Sequence, residues 1–458
     1  MLRILPFVVL ASFVPSVVRA APPDAAPLPA FVSQKRRMND TDLAKKKEGF
    51  FVTGLPFFSS DPLNGVGGGA TGYLHFNGKR TDRLFAYAPY RVRLGVTAQY
   101  TTGAAGAIGL KLDAPYLANT GWRLKVDGKY ENTPNNLYFG LTETTLGRLA
   151  REKYSDYADD LNRVRPGRAG EAARVSDALR NKFLEREWMI NPKIERSFGS
   201  LRVLAGYEIQ HLAYRTFEGQ QVDGTDPATG QSARVPAGKS LLREDAEAGR
   251  AFGLQGGRVS LVQLSVMYDT RDYEPDPSRG VFLEWGTEHS SKVTGSEFTF
   301  TKMLFQARYF VRLAPSLLKR TVLATRLGYG TVLGKEAPFF EFQDQWSAEG
   351  SIRALGGNQT LRGYKANRFL GRTVAFLNAE LRHRVADFDV LRQNITLTIA
   401  PFLDLGTVGD REFLIKPTAR ISGGAGLRIG WNRSTIIVLD GAASREDRQF
   451  FLTFNNSY

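Results

Sequence analysis

The chain has 458 residues, with 61 Lys and Arg against 46 Asp and Glu, a net charge of +15, no Cys and four His. Without cysteine there is neither a disulfide framework nor thiolate chemistry, and His75, His211, His289 and His383 are too scattered to read as a metal cluster. Forty-six glycines and the lack of any break in composition point to one large unit after the first residues.

The chain opens MLRILPFVVLASFVPSVVRAAPPD, with Arg3 as a basic head and an apolar run from Leu5 to Val18. Pro6 and Pro15 interrupt that run and it is short for a membrane span, so residues 1–20 read as a secretory signal cut after Ala20. Export removes nucleic acid as the partner of the positive charge and leaves anionic lipid or an ion-rich lumen. Residues 21–48, Pro/Ala-rich and then basic, have a linker composition and are predicted to lie in the periplasm. The aromatic-rich FFVTGLPFF, Phe50 to Phe58, opens the first predicted strand. Gly67-x-Gly69-x-x-Gly72 matches a dinucleotide fingerprint in spacing, but alternating strand residues follow it instead of a helix, so no cofactor site is expected.

Between Asn132 and Glu185, the Ala/Glu/Arg-rich stretch DYADDLNRVRPGRAGEAARVSDALRNKFLERE predicts short helices broken near Pro166-Gly167, forming a solvated cap. Leu264, Val266 and Tyr268 alternate with Gln263, Ser265 and Asp269. In RTVAFLNAELRHRV, Ala375, Leu377, Ala379 and Leu381 alternate with Asn378, Glu380, Arg382 and Arg384. In QNITLTIAPFLDLG, Ile395, Leu397, Ile399, Leu403 and Leu405 alternate with Asn394, Thr396, Thr398, Phe402 and Asp404. A period of two is the signature of strands with one oily and one polar face. His383 falls on the oily parity near a strand end, which suits interfacial packing.

A soluble sandwich alternates as well. The deciding pattern lies in the connections. Residues 49–458 divide into about sixteen strands, each about ten residues or more, as a tilted membrane strand requires. Long connections (Asn132 to Glu185, Glu218 to Gln255, Lys335 to Gly371) fall at odd positions, and short ones such as Arg196 to Ser200 and Trp431 to Arg433 fall between them. Short periplasmic turns, long external loops and an even strand count are what an all-β transmembrane antiparallel barrel requires, because only a closed sheet satisfies every backbone group in lipid. No Gly-x-Ser-x-Gly elbow occurs, and the chain is not expected to be an enzyme.

Four segments in order resemble the outer-membrane insertase superfamily, the bacterial surface antigen barrels of the BamA and TamA type. YDTRDYEPDPSRGVFLEW, Tyr268 to Trp285, is similar to the family's Asp-x-Arg-Asp turn and supplies Asp269, Arg271 and Asp272. LRGY, Leu361 to Tyr364, is similar to the Arg-Gly-aromatic tip of the family's sixth external loop; NAELR, Asn378 to Arg382, and FLDLG, Phe402 to Gly406, follow in adjacent strands. The resemblance implies that the loop folds back into the barrel, with Arg362 against Asp404 and Phe402, Glu380 nearby, and Gly363 and Tyr364 shaping the tip. Parity independently puts Glu380, Phe402 and Asp404 on the polar, inward face. Arg362 reads equally as a functional latch or as a plug that only stabilises the lumen. The family carries periplasmic modules before its barrel, each a folding unit of on the order of 50 residues; with only residues 21–48 in that place, this chain is expected to lack them.

The last strand, with Phe450, Leu452 and Phe454 alternating toward Tyr458, is expected to close against the first, where Gly54 and Pro56 weaken the ladder. The resemblance implies an insertase or translocator in the outer membrane. Its partners would be outer-membrane lipid and lipopolysaccharide, client outer-membrane proteins, and the barrel assembly machinery that folds it. A passive pore and a surface-binding barrel are the other two readings.

Overall fold

In the computed structural model, residues 46–61, 64–141, 179–225, 232–272, 276–313, 320–390, 393–413, 418–431, 435–454 and Tyr458 are described, together with a few isolated positions and pairs elsewhere. Sixteen strands form one antiparallel sheet in strict chain order. They are β1 Phe50–Asp61, β2 Gly65–Phe76, β3 Val92–Thr101, β4 Gly106–Ala114, β5 Trp122–Leu137, β6 Lys182–Phe198, β7 Leu201–Arg215 and β8 Gly257–Asp269. Then come β9 Gly280–Ser290, β10 Phe300–Arg312, β11 Thr321–Leu333, β12 Thr373–Val390, β13 Gln393–Gly409, β14 Arg420–Trp431, β15 Thr435–Ala443 and β16 Arg448–Phe454. Among the described residues no helix is long and apolar enough to cross a membrane.

The alternation sorts the two faces. Leu264, Val266 and Leu403 are 46%, 40% and 47% exposed, whereas Gln263 and Asp404, on the opposite parity, are both 0% exposed. Apolar side chains outside and charged ones inside invert a soluble core and describe a wall whose outer solvent is lipid.

Connections alternate in length around the sheet. At one end β6 passes to β7 through Gly199 and Ser200, with Gly199 at φ +62° in the left-handed region. At the other end β5–β6, β7–β8 and β11–β12 are joined by 138–181, 216–256 and 334–372. The helices expected in the first of these fall on residues outside those described; the positions described there form a two-rung ladder, Val164–Arg165 with Val175–Ser176. Helix α1, Leu241–Glu247, lies in the second long loop, capped by the Ser240 hydroxyl, which accepts from Arg243 N. Buried aromatics at the long-loop end, including Tyr138, Phe183, Phe298, Phe339 and Phe340, form a core above the strands. At the short-turn end Val32 packs with Leu84, Ala88 and Tyr116, and the Lys46 ammonium donates to the carbonyls of Phe85 and Ala88, both at 2.6 Å. These described positions of 21–48 are tied to the first turns of the sheet.

The last described rung of β16 is Ile437↔Phe454; the side chain of Phe454 lies outside the described ones. Tyr458, placed by parity with the lipid-facing Phe450 and Leu452, is instead buried against Phe310 and Ala324 on the inner wall. The inward guanidinium of Arg326, 4.8 Å from the Tyr458 ring centroid, offers the ring a cation.

With short turns on the periplasmic side, an epitope inserted after Thr225 should be labelled on intact cells, and one inserted after Trp431 only after the outer membrane is broken. Labelling at Trp431 on intact cells would refute this sidedness.

Candidate functional site

The loop 334–372, the sixth at its end of the sheet, runs down the interior and back. Its descending arm carries Phe339–Phe342 at the rim, then Ser347, whose hydroxyl donates to Glu284 at 2.6 Å. Glu349, at the bottom, receives Arg271 at 2.6 Å and Arg308 at 2.9 Å. The ascending arm brings Arg362 beside β12, β13 and β15.

Arg362 is 1% exposed. Its Nε and Nη2 donate to the two oxygens of Asp404 at 2.8 and 2.9 Å, its backbone N–H to the same carboxylate at 3.1 Å, and Nη1 to Glu380 at 2.7 Å and Asp440 at 3.0 Å. The guanidinium carbon stands 3.4 Å from the centroid of the Phe402 ring. A planar five-donor fork is the side chain suited to meeting carboxylates in its plane and an aromatic on its face. Burial by itself would lower the Arg362 pKa, but the bond to Asp404 and the charges of Glu380 and Asp404 more than offset it and hold the guanidinium charged.

The charge is balanced locally. Glu380 also receives Arg382 at 2.9 Å and Arg428 at 3.1 Å, and Arg428 pairs with Asp440. Three carboxylates thus face three guanidiniums, all nearly excluded from solvent. The wall makes room for this: a Cβ at Gly426, inward on β14, would run into both the Asp440 carboxylate and Arg428. At the loop tip Gly363 has φ +88°, and a Cβ there would come within 2.8 Å of the Ala443 carbonyl carbon. Tyr364 is buried, its ring centroid 5.2 Å from that of Phe369.

The remaining expected residues fall in two other places. Asp269, Arg271 and Asp272 lie at the short-turn end: Arg271 grips Asp269 through Nε at 3.0 Å and Nη2 at 2.8 Å, and Asp272 accepts from the backbone of Ser278 at 2.8 Å. This turn therefore meets the descending arm through Glu349 and not Arg362. Gly54 and Pro56 pair with Gly72 and Ala70 in the β1–β2 ladder, and Phe450 and Leu452 pair with Gly441 and Leu439. Asp440, Arg428 and Glu349 were not singled out in the sequence; inward parity was the one signal available for the first two. Asn378, from the NAELR segment, links the parts, donating to Asp404 at 2.8 Å and to the Thr360 carbonyl at 2.6 Å. A second clamp joins Arg368 to Glu446 at 2.9 Å, tying the loop to the β15–β16 turn.

Residues 92–437 match the Omp85 superfamily domain, well over half of the 458. The chain belongs to the Omp85 superfamily. Residues 28–91 of this Omp85 chain match a separate domain of unknown function, DUF5982. Among solved structures, CdiB from Escherichia coli is 10% identical with a TM-score of 0.50, the match covering 90% of this chain and 62% of CdiB. BamA from Haemophilus ducreyi lacking POTRA domains 1–3 is 12% identical with a TM-score of 0.49, over 90% of this chain and 70% of that one. The chain thus spans less than two thirds of CdiB. No curated protein matches it in sequence.

Among the described residues Arg362 is the one charged partner of Asp404, whereas Glu380 and Asp440 keep other arginines. Arg362→Ala should therefore strand Asp404 and cost about 3–5 kcal/mol, the range for breaking one half of a buried pair. Heat-modified electrophoretic mobility of the folded barrel would read the loss. Arg362→Ala with Asp404→Ala should be less destabilised than the two single losses added, and strict additivity would contradict direct coupling.

Proposed function

We propose that this Omp85 barrel acts in membrane-protein assembly or transport in the outer membrane, as an insertase or translocator that opens between β1 and β16 and carries out no enzymatic step. The observation that supports it is the weakness of the two strands that would meet there. Among the described residues β16 has 7, against 18 and 17 in the interior neighbours β12 and β13. Pro56 on β1 can donate no ladder hydrogen bond. Among the described residues the ladders run from β1 to β16 without one joining the two ends. Phe50, Val52 and Phe450, which flank this edge, are 70%, 75% and 69% exposed, well above the outward residues of β8 and β13. An edge with unpaired backbone groups and apolar flanks is suited to adding a client strand or admitting lipid. A passive pore accords less well with the structure, because the loop 334–372 fills the interior beside β8 to β15.

Because the chain has no cysteine of its own, cysteine pairs placed across positions 53–57 and 450–453 can close the seam cleanly. In proteoliposomes the reduced protein should accelerate folding of a client outer-membrane barrel, and the oxidised, seam-closed protein should not. Equal acceleration with the seam covalently shut would exclude lateral opening.

A further inference from the structure

At the long-loop rim the wall has a gap. The β13–β14 ladder reaches the Gly406↔Arg420 rung, but the β14–β15 ladder begins only at Gly423↔Ala443. Residues 420–422 of β14 thus have no rung on the β15 side, and β15 turns away at Ser444, whose N–H donates to the Asp447 carbonyl at 2.9 Å. The loop tip closes the gap from behind: the Ser444 hydroxyl donates to the Gly363 carbonyl at 2.7 Å, and the Tyr364 hydroxyl to the Ile421 carbonyl at 3.4 Å. A cavity of about 400 Å³ remains, bordered by Tyr364, Leu403, Arg420, Ile421, Ser422 and Arg445.

Its lining is divided. Leu403 and Ile421 stand on the lipid-facing parity, while Ser422, on the inward parity, is 2% exposed. The Ser422 hydroxyl and the Arg420 Nε are both buried without a hydrogen-bond partner among the described residues. Neither Arg420 nor Arg445 is paired with a carboxylate among the described residues, and the buried acids Glu446, Asp404 and Asp440 are matched to Arg368, Arg362 and Arg428. Two cations without a carboxylate partner among the described residues, beside an orphaned hydroxyl and an apolar border, are the complement of an anion carried on an acyl chain.

We propose that this cavity binds the phosphorylated headgroup of an outer-leaflet lipid of the lipopolysaccharide class. Arg420 and Arg445 flank the phosphate, the Ser422 hydroxyl donates to it, and an acyl chain lies along Leu403 and Ile421. A lipid is favoured over free phosphate because the apolar and cationic halves of the cavity follow the order of a membrane interface. Tyr364 forms part of the wall, so an occupied cavity touches the same loop tip that carries Arg362. The proposal rests on the outer-membrane setting of the proposed function and not on opening of the seam.

The test is equilibrium binding of fluorescent lipopolysaccharide to the purified, folded chain in detergent, with dephosphorylated lipopolysaccharide and inorganic phosphate as separate arms. Arg420→Ala with Arg445→Ala should weaken binding about tenfold or more, the loss expected for charge-assisted bonds. Lysine at both positions should keep binding within about threefold, since the phosphate needs the charge more than the fork. Dephosphorylation should cost about as much as the alanine pair, and inorganic phosphate should not compete. Arg445→Glu, at an exposed position, gives the same reading should the double alanine variant not fold. Unchanged affinity in Arg445→Glu, or equal affinity for the dephosphorylated lipid, would overturn the site. Full competition by inorganic phosphate would overturn its assignment to a lipid. No client is involved, so this outcome and that of the seam test are independent.

Discussion

A guanidinium held among three carboxylates inside the barrel is the constraint around which the rest of the interior is organised. Removing an ion from water is costly, and the cost is met only if every donor and acceptor finds a partner in good geometry. Arg362 satisfies that condition by drawing on strands that are distant in the chain: Asp404 on β13, Glu380 on β12 and Asp440 on β15. Each position is dictated by register, with Glu380 opposite Phe402, Asp404 opposite Ser422 and Asp440 opposite Gly426. A slip of one residue on any of these strands would send its carboxylate or ring to the lipid side. The buried arginine therefore constrains strand register as well as loop position.

The loop that carries Arg362 connects the two ends of the barrel. Its lowest point, Glu349, meets the Asp269–Arg271 turn, and its ascending arm ends at the Arg368–Glu446 clamp on the β15–β16 turn. One segment thus joins the short-turn end, the mid-wall lock and the last hairpin. The packing is lopsided around the barrel. The inward side chains of β8 to β15, such as Gln263, Glu284, Gln306, Asn378 and Asp440, are almost fully buried. Those of β2 to β4, such as Thr71, Tyr73, Thr97 and Lys111, remain partly or largely accessible. The clamp to Glu446, on the β15–β16 turn, bears on the packed side.

The strand period, the strand count and the rank of the long loops could be read from the amino-acid order, because each is a local property. Alternation needs only neighbouring residues, and loop length needs only the spacing between alternating runs. The same parity was enough to put Glu380, Phe402 and Asp404 on one inward face. The choice of partners was decided by the tertiary structure. Arg362 and Asp440 are 78 positions apart, and parity states which face a residue occupies without saying how far along the barrel it stands or which strand curves toward it. For this reason spacing along the chain does not show that Asp440, Arg428 and Glu349 belong with the loop, or that the Asp269–Arg271 turn meets Glu349. Tyr458 shows the other limit: its buried ring stands beside the inward guanidiniums of Arg326 and Arg382, a contact that spacing along the chain does not reveal. The order of residues by itself determined what faces lipid and what faces the lumen, since burial of apolar groups acts residue by residue; the packing of the inward loop against the sheet decided which buried charges meet, since that depends on where strands distant in the chain bring their inner faces together.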